Sequence, residues 1–313
     1  MKTLTLTVAL LTPVALLFAH GDHSHGPDVD LDSAISDAPS LGDVSIEQEG
    51  DYLIIQSKDL PGHETGQFPN RNNPNRMSAQ SFSFQVPLAP KRAARPQPYD
   101  GYLFGVALNG VPFDPNTGEF WQNNRQWRKE AIIEGDADHL GVDSSNAHVQ
   151  PSGMYHYHGI PWGLVKELQE RDPKAGVEHP MLIGWAADGY PIYYLEGMKS
   201  SWRLKEGQRE GGPGGTIDGT YTRDYEYVAE SGDLDWLNGR YGPTAEYPEG
   251  TYQYHLTEAF PFVPRYFLGE PHQSFGKSQQ NMSPHGGQRG NRPGGFSSGP
   301  GGQMRPPPPG RQY

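Results

Sequence analysis

Tyr155-His156-Tyr157-His158 alternates strictly between two residue types, and this narrows the choice of local structure more than any other stretch. A period of two is the mark of a β-strand, whose successive side chains point to opposite faces. The pattern predicts one face with His156 and His158, and another with Tyr155 and Tyr157. The preceding Gln150-Pro151-Ser152-Gly153-Met154 fits a three-residue hairpin loop. Proline presets φ at the first turn position, and Gly153 supplies the left-handed residue that closes such a turn. This loop pairs Gln150 with Met154, places His148 opposite His156 and brings Asn146 level with His158. A two-residue loop would instead put His148 on the tyrosine face.

His148, His156 and His158 therefore form a candidate metal site. Neutral imidazole suits Cu and Zn, and three protein ligands leave a position for water or substrate. Thiolate sites are excluded, because the chain has no cysteine. The plainer alternative is a hydrogen-bonded His/Tyr cluster that only holds a sheet together. Asp136, Asp138, Asp143, Asp188 and Glu178 are candidates for a fourth ligand or a general base, although turn chemistry accounts for each acid separately. His63 reads as a surface histidine, with Glu64 beside it as a second candidate pair. Gly250-Thr251-Tyr252-Gln253-Tyr254-His255 repeats the Gly-x-Tyr-x-Tyr-His of residues 153–158, which makes His255 a candidate remote ligand.

Lys2, the apolar run through Phe18 and Ala19 read as a signal peptide over residues 1–19, which predicts a periplasmic or extracellular protein. The run is short for a membrane span, so no stable insertion is expected after cleavage. Residues 20–43 read as a disordered His/Asp-rich linker. Cleavage after Ala19 would expose His20. Cleavage after His20 would free Gly21-Asp22-His23, whose amine, amides and imidazole can chelate Cu(II) or Ni(II). A solvated linker with idle histidines is the alternative. From residue 271 to 313 Gly, Pro, Gln and Ser dominate, and a disordered basic tail is expected. A net charge of −12 argues against nucleic acid as a partner.

Between these ends, residues 44–270 read as one mainly β domain: sandwich-like antiparallel sheets, a few short helices and long loops. Strands are expected at residues 44–46, 52–55, 81–86, 102–108, 181–186, 191–195 and 221–228, with Gly, Pro and Asn turns between them. Helices are expected at 121–133 and at 161–171, the second with Pro161 at its start and Leu164 and Leu168 inward. Lys91 to Arg95 reads as a solvated basic loop. The glycine-rich segment 207–219 lacks the strand-loop-helix setting and Lys-Ser/Thr of a phosphate cradle.

In the setting Ala147-His148-Val149-Gln150-Pro151-Ser152-Gly153-Met154-Tyr155-His156-Tyr157-His158-Gly159-Ile160-Pro161, the chain resembles the YHYH domain family of secreted proteins. The resemblance extends over about Val44 to Gly269. It includes Asp188-Gly189-Tyr190-Pro191-Ile192-Tyr193 and Tyr247-Pro248-Glu249-Gly250-Thr251-Tyr252. It implies a domain assignment and export, and carries no activity with it. Family relatives tend to have a cysteine in the segment matching Leu234 to Arg240, where this chain has Trp236 and Leu237.

The residues themselves support a secreted domain binding Cu or Zn through its histidine cluster. A metal-dependent hydrolase or redox enzyme is a second reading. It would need an open coordination position lined by a pocket, and no His-Glu-x-x-His motif or serine nucleophile elbow is present. A non-catalytic envelope interaction module, using exposed aromatics and the basic tail, is a third. The strand pattern further predicts that Tyr155 and Tyr157 face the core, while His156 and His158 face a partly solvated cleft.

Overall fold

A computed structural model of the chain describes residues 31–133 and 139–280. The expected signal segment, His20, His23 and His25, the acids Asp136 and Asp138, and the tail from 281 onward lie outside the described residues.

Fifteen strands follow one another among the described residues: β1 (Gly42–Glu49), β2 (Tyr52–Pro61), β3 (Phe82–Pro87), β4 (Arg92–Pro98), β5 (Gly105–Ala107), β6 (Pro112–Phe113), β7 (Ala147–Val149), β8 (Tyr155–Tyr157), β9 (Met181–Ala186), β10 (Pro191–Tyr194), β11 (Trp202–Leu204), β12 (Tyr225–Tyr227), β13 (Gly239–Gly242), β14 (Thr251–Leu256) and β15 (Tyr266–Gly269). The helices are short: α1 (Asp32–Asp37), α2 (Trp162–Arg171) and α3 (Lys277–Gln280). None of the described helices is long and apolar enough to cross a membrane. The mainly β class expected from the turn-punctuated pattern is what forms.

The largest sheet has eight strands in the order β13-β14-β10-β9-β5-β6-β8-β7. It is mixed, not purely antiparallel as expected: β10 runs parallel to β14, and β6 parallel to β8. Strands β9, β10 and β14 are buried along their whole length, as strands covered on both faces must be. A second sheet, β1-β2-β3, shows the alternation of a half-buried sheet, with Leu53 and Ile55 inward and Gln56 out. Its Val44, Ile46, Leu53, Ile55 and Phe84 join the same apolar cluster as Tyr155, Tyr157, Phe104 and Phe113. The repeated Gly-x-Tyr-x-Tyr-His segments lie in this one large sheet, in β8 and β14, well apart in strand order.

Four local expectations are corrected. Residues 121–133 do not form a helix; only Trp121–Asn123 makes a 3-10 turn. Contacts elsewhere in the chain override the local pattern. Trp127 packs edge-on against Tyr221, Lys129 bridges to Tyr221, and Glu130 N donates to Thr220 O. The basic segment Lys91 to Arg95 is largely strand β4, whose backbone is paired with β15. The N-terminal linker ends sooner than expected: α1 begins at Asp32, and Leu31, Ala38 and Leu41 are buried in the core. The C-terminal boundary lies later, because Phe275 is fully buried and stacks on Phe84 at 4.6 Å.

Candidate metal centre

β7 and β8 pair antiparallel at one edge of the large sheet, in the register Ala147↔Tyr157, His148↔His156 and Val149↔Tyr155. The loop has the expected three residues. Gln150 N donates to Met154 O at 3.0 Å, and Gly153 N to Gln150 O at 2.8 Å. Gly153 has φ +87°, and its backbone is pressed against Ser78, so a β-carbon would meet strain and the Ser78 hydroxyl together. At the other end, His158 N donates to Asn146 O at 2.7 Å, which places Asn146 level with His158. Asp143 fixes the start of β7. Its Oδ1 accepts from the amides of Ser145 and Ala147, and its Oδ2 from Gly66 N and the Tyr155 hydroxyl.

The tyrosine face is core, as expected. Tyr155 and Tyr157 are both fully buried, and both hydroxyls are satisfied. Tyr155 donates to Asp143 at 2.7 Å. The Tyr157 hydroxyl receives the Asn109 side-chain amide at 2.8 Å and lies 2.6 Å from His63 Nε2. His63 is therefore a buried partner of Tyr157, not the surface histidine expected. Gly163 of α2 lies directly on its ring, leaving no space for a side chain. Nothing in the local sequence around His63 signals this contact across 94 positions of chain.

On the other face, the rings of His148, His156 and His158 form a triangle. All three pairs of ring centroids are 4.7 Å apart, with interplanar angles of 66°, 84° and 63°. One nitrogen from each ring lies within 4.8 Å of the other two. His148 Nδ1 sits 3.0 Å from Leu140 O, and His156 Nδ1 is 3.5 Å from Met154 O. His158 Nδ1 is buried and has no hydrogen-bond partner among the described residues. A protonated Nδ1 held toward a carbonyl leaves Nε2 as the lone-pair donor, the arrangement that orients metal-ligating histidines. The Nε2 atoms of His148 and His158 face each other at 3.1 Å. In a tetrahedral site with Zn–N near 2.1 Å, ligand nitrogens are about 3.4 Å apart.

The face is drier than expected. His156 and His158 are 3% and 2% exposed, and only His148 is half-buried. The three rings pack on one another, and the carbonyls of Leu140 and Met154 lie against two of them. Desolvation lowers the pKa of all three, far more for His156 and His158 than for His148. They are held neutral, the form that coordinates metal.

The acids named from the sequence stand elsewhere. Asp143 serves the tyrosine face. Asp188 is buried at the β9–β10 turn, where its Oδ2 accepts from the Tyr254 hydroxyl and Gly269 N. Glu178 pairs with Lys174 on the surface. His255 is fully buried in β14, with Nε2 on Gln253 Oε1 at 3.2 Å, and is not part of the triangle. The acid that does share the imidazole face, Asp114, is one the motif reading passed over. Phe113 of β6 pairs with Tyr157, and Asp114 N donates to Tyr157 O at 3.0 Å. Asp114 thus adjoins His158, and it holds the ammonium of Lys277. A cavity of ≈ 260 Å³ lies along this face, lined by Leu103, Asp114, Gln150, Pro151, Ser152, Met154 and Lys277. None of the three imidazoles lines it.

A family model described as "YHYH protein" matches residues 83–269, well over half of the chain. The matched span contains both faces of the β7–β8 hairpin, while β1 and β2 precede it. No curated protein and no solved structure matches the chain.

Proposed function

The chain belongs to the YHYH protein family, and from that premise we propose that it is an exported protein binding a divalent transition metal, Cu or Zn, through Nε2 of His148, His156 and His158. One observation carries the reading: three neutral rings on one face each bring a nitrogen within 4.8 Å of the other two, and two of them hold Nδ1 against backbone carbonyls. Two Nε2 lone pairs at 3.1 Å repel unless one nitrogen carries the proton. A cation between the rings would accept both lone pairs and remove that repulsion.

Export is supported by the apolar N-terminal run. The neighbouring cavity is not lined by the imidazoles. This favours metal binding over hydrolysis or redox catalysis as the primary role.

The test is elemental analysis of untagged protein after mild chelation and reloading. His20, His23 and His25 should be replaced by Ala, because that tract can bind metal by itself. One equivalent of metal is expected, lost on replacing His156 and His158 by Ala. Unchanged occupancy in that variant removes the site. Deleting residues 20–43 is not an adequate control, since Leu31, Ala38 and Leu41 belong to the core.

A further inference from the structure

Asp114 and Lys277 form a charged pair at the edge of the imidazole face, and Lys277 Nζ also lies over the Tyr99 ring at 5.5 Å. Alternation along β6 turns Phe113 toward the Tyr157 ring, with centroids 5.5 Å apart, and so turns Asp114 to the histidine side. Its two oxygens lie 2.8 and 2.7 Å from Lys277 Nζ. The Asp114 side chain is 8% exposed, whereas that of Lys277 is 38% exposed. Lys277 reaches the site from α3, 163 residues further along the chain.

The cavity touches both members of this pair and also Gln150 and Met154. Those two are the next residues along the imidazole face, beyond His148 on β7 and before His156 on β8. The cavity leaves room beside the carboxylate next to Gln150 and Met154, and the partly exposed Lys277 side chain borders it too. Energetics favour an exchange. A divalent cation on three neutral ligands would leave two positive charges in a dry site, with a lysine ammonium nearby. A carboxylate that moves from ammonium to metal removes one of those charges and supplies an oxygen donor suited to Zn.

We propose that Asp114 is the acidic member of the metal centre, exchanging Lys277 for the bound cation as the site loads. The inference rests on the three-histidine reading. It assigns Asp114 as a ligand, direct or through one water, and Lys277 as the group that holds it in reserve.

The experiment is competition titration of Zn²⁺ into the full chain carrying Ala at positions 20, 23 and 25. Four forms are compared: the parent, Asp114→Asn, Lys277→Gln and the double variant. Asp114→Asn should weaken Zn²⁺ about tenfold or more, the scale of losing a supporting carboxylate. Lys277→Gln should tighten it about tenfold when Asp114 is present, and by less than about twofold when it is Asn. Equal effects of Lys277→Gln in both backgrounds would mean simple charge repulsion and overturn the exchange. Undiminished affinity in Asp114→Asn overturns it as well. A parent that binds no Zn²⁺ is a separate result and sinks the three-histidine reading itself. Near-ultraviolet circular dichroism on each form, with the fold expected to be unchanged, keeps misfolding from imitating weak binding.

Discussion

His63 and Tyr157 meet through Nε2 and the phenolic hydroxyl at 2.6 Å, on the face of β8 opposite the imidazole triangle. One short strand is thus braced on one side and chemically equipped on the other. Its braces come from Asn109 and from the loop after β2, which are distant in sequence.

This division makes Tyr157→Phe informative. The substitution keeps the ring and strands the Asn109 amide and His63 Nε2 in a buried place. A loss of about 1–3 kcal/mol is expected in urea unfolding. Metal stoichiometry should stay at the parent value. Loss of metal together with an unchanged unfolding midpoint would reverse the roles given to the two faces.

Leu41 tests the N-terminal boundary. It is 1% exposed, and its carbonyl accepts Gly62 N at 2.7 Å. Leu41→Ala should lower stability by about 2–5 kcal/mol, the range of a buried leucine truncation. A change within about 0.5 kcal/mol, typical of surface sites, would place this segment outside the core.

Arg265 and Glu130 form a buried ion pair at 2.6 Å, with side chains 7% and 1% exposed. Arg265→Met leaves the Glu130 carboxylate buried beside only the Thr222 hydroxyl. Destabilisation of about 3–5 kcal/mol is expected, and adding Glu130→Gln should recover part of it. A double variant no more stable than Arg265→Met would show that the lost charge balance is not the cause.

His255 gives a pH signature. Burial first, and the Arg240 charge second, lower its pKa to about 3. An unfolded histidine titrates near 6.5. Between these values the unfolded chain binds a proton that the folded chain refuses, so stability rises with pH. This contribution is complete above about 6.5 and is lost progressively as pH falls toward 3. At pH 5 it amounts to about 2 kcal/mol relative to pH 7.5. His255→Gln should remove that much of the acid-induced loss, read from urea midpoints at the two pH values. Parallel pH dependences in parent and variant would count against it. The triangle histidines shift in the same direction, so some acid sensitivity remains in both.

What could be read from the residues was local. Pro151 and Gly153 specify the loop length, the loop length sets the pairing of His148 with His156, and the period of two assigns the faces. The distant partners were not readable. Asp114 reaches the imidazole face only because β6 lies parallel to β8, a pairing made by one residue pair across 44 positions. His63 is polar and sits in a Pro/Asn-rich loop, and nothing near it encodes burial against Tyr157. The expected helix at 121–133 failed for the same reason. Its aromatic and charged residues have partners near 220, and those contacts outweigh the small helix preferences of the segment.

The three nitrogens proposed as ligands come from positions 148, 156 and 158, all within a single hairpin. A cation there cross-links a ring of roughly ten residues whose ends the loop has already joined. The loop-closure entropy it can save is correspondingly small. The eight-stranded sheet has its own apolar core, which includes the tyrosines of that hairpin. Under the proposed function, folding and metal loading would therefore be separable events, in that order: the polypeptide would assemble first, and a finished protein would take up the cation.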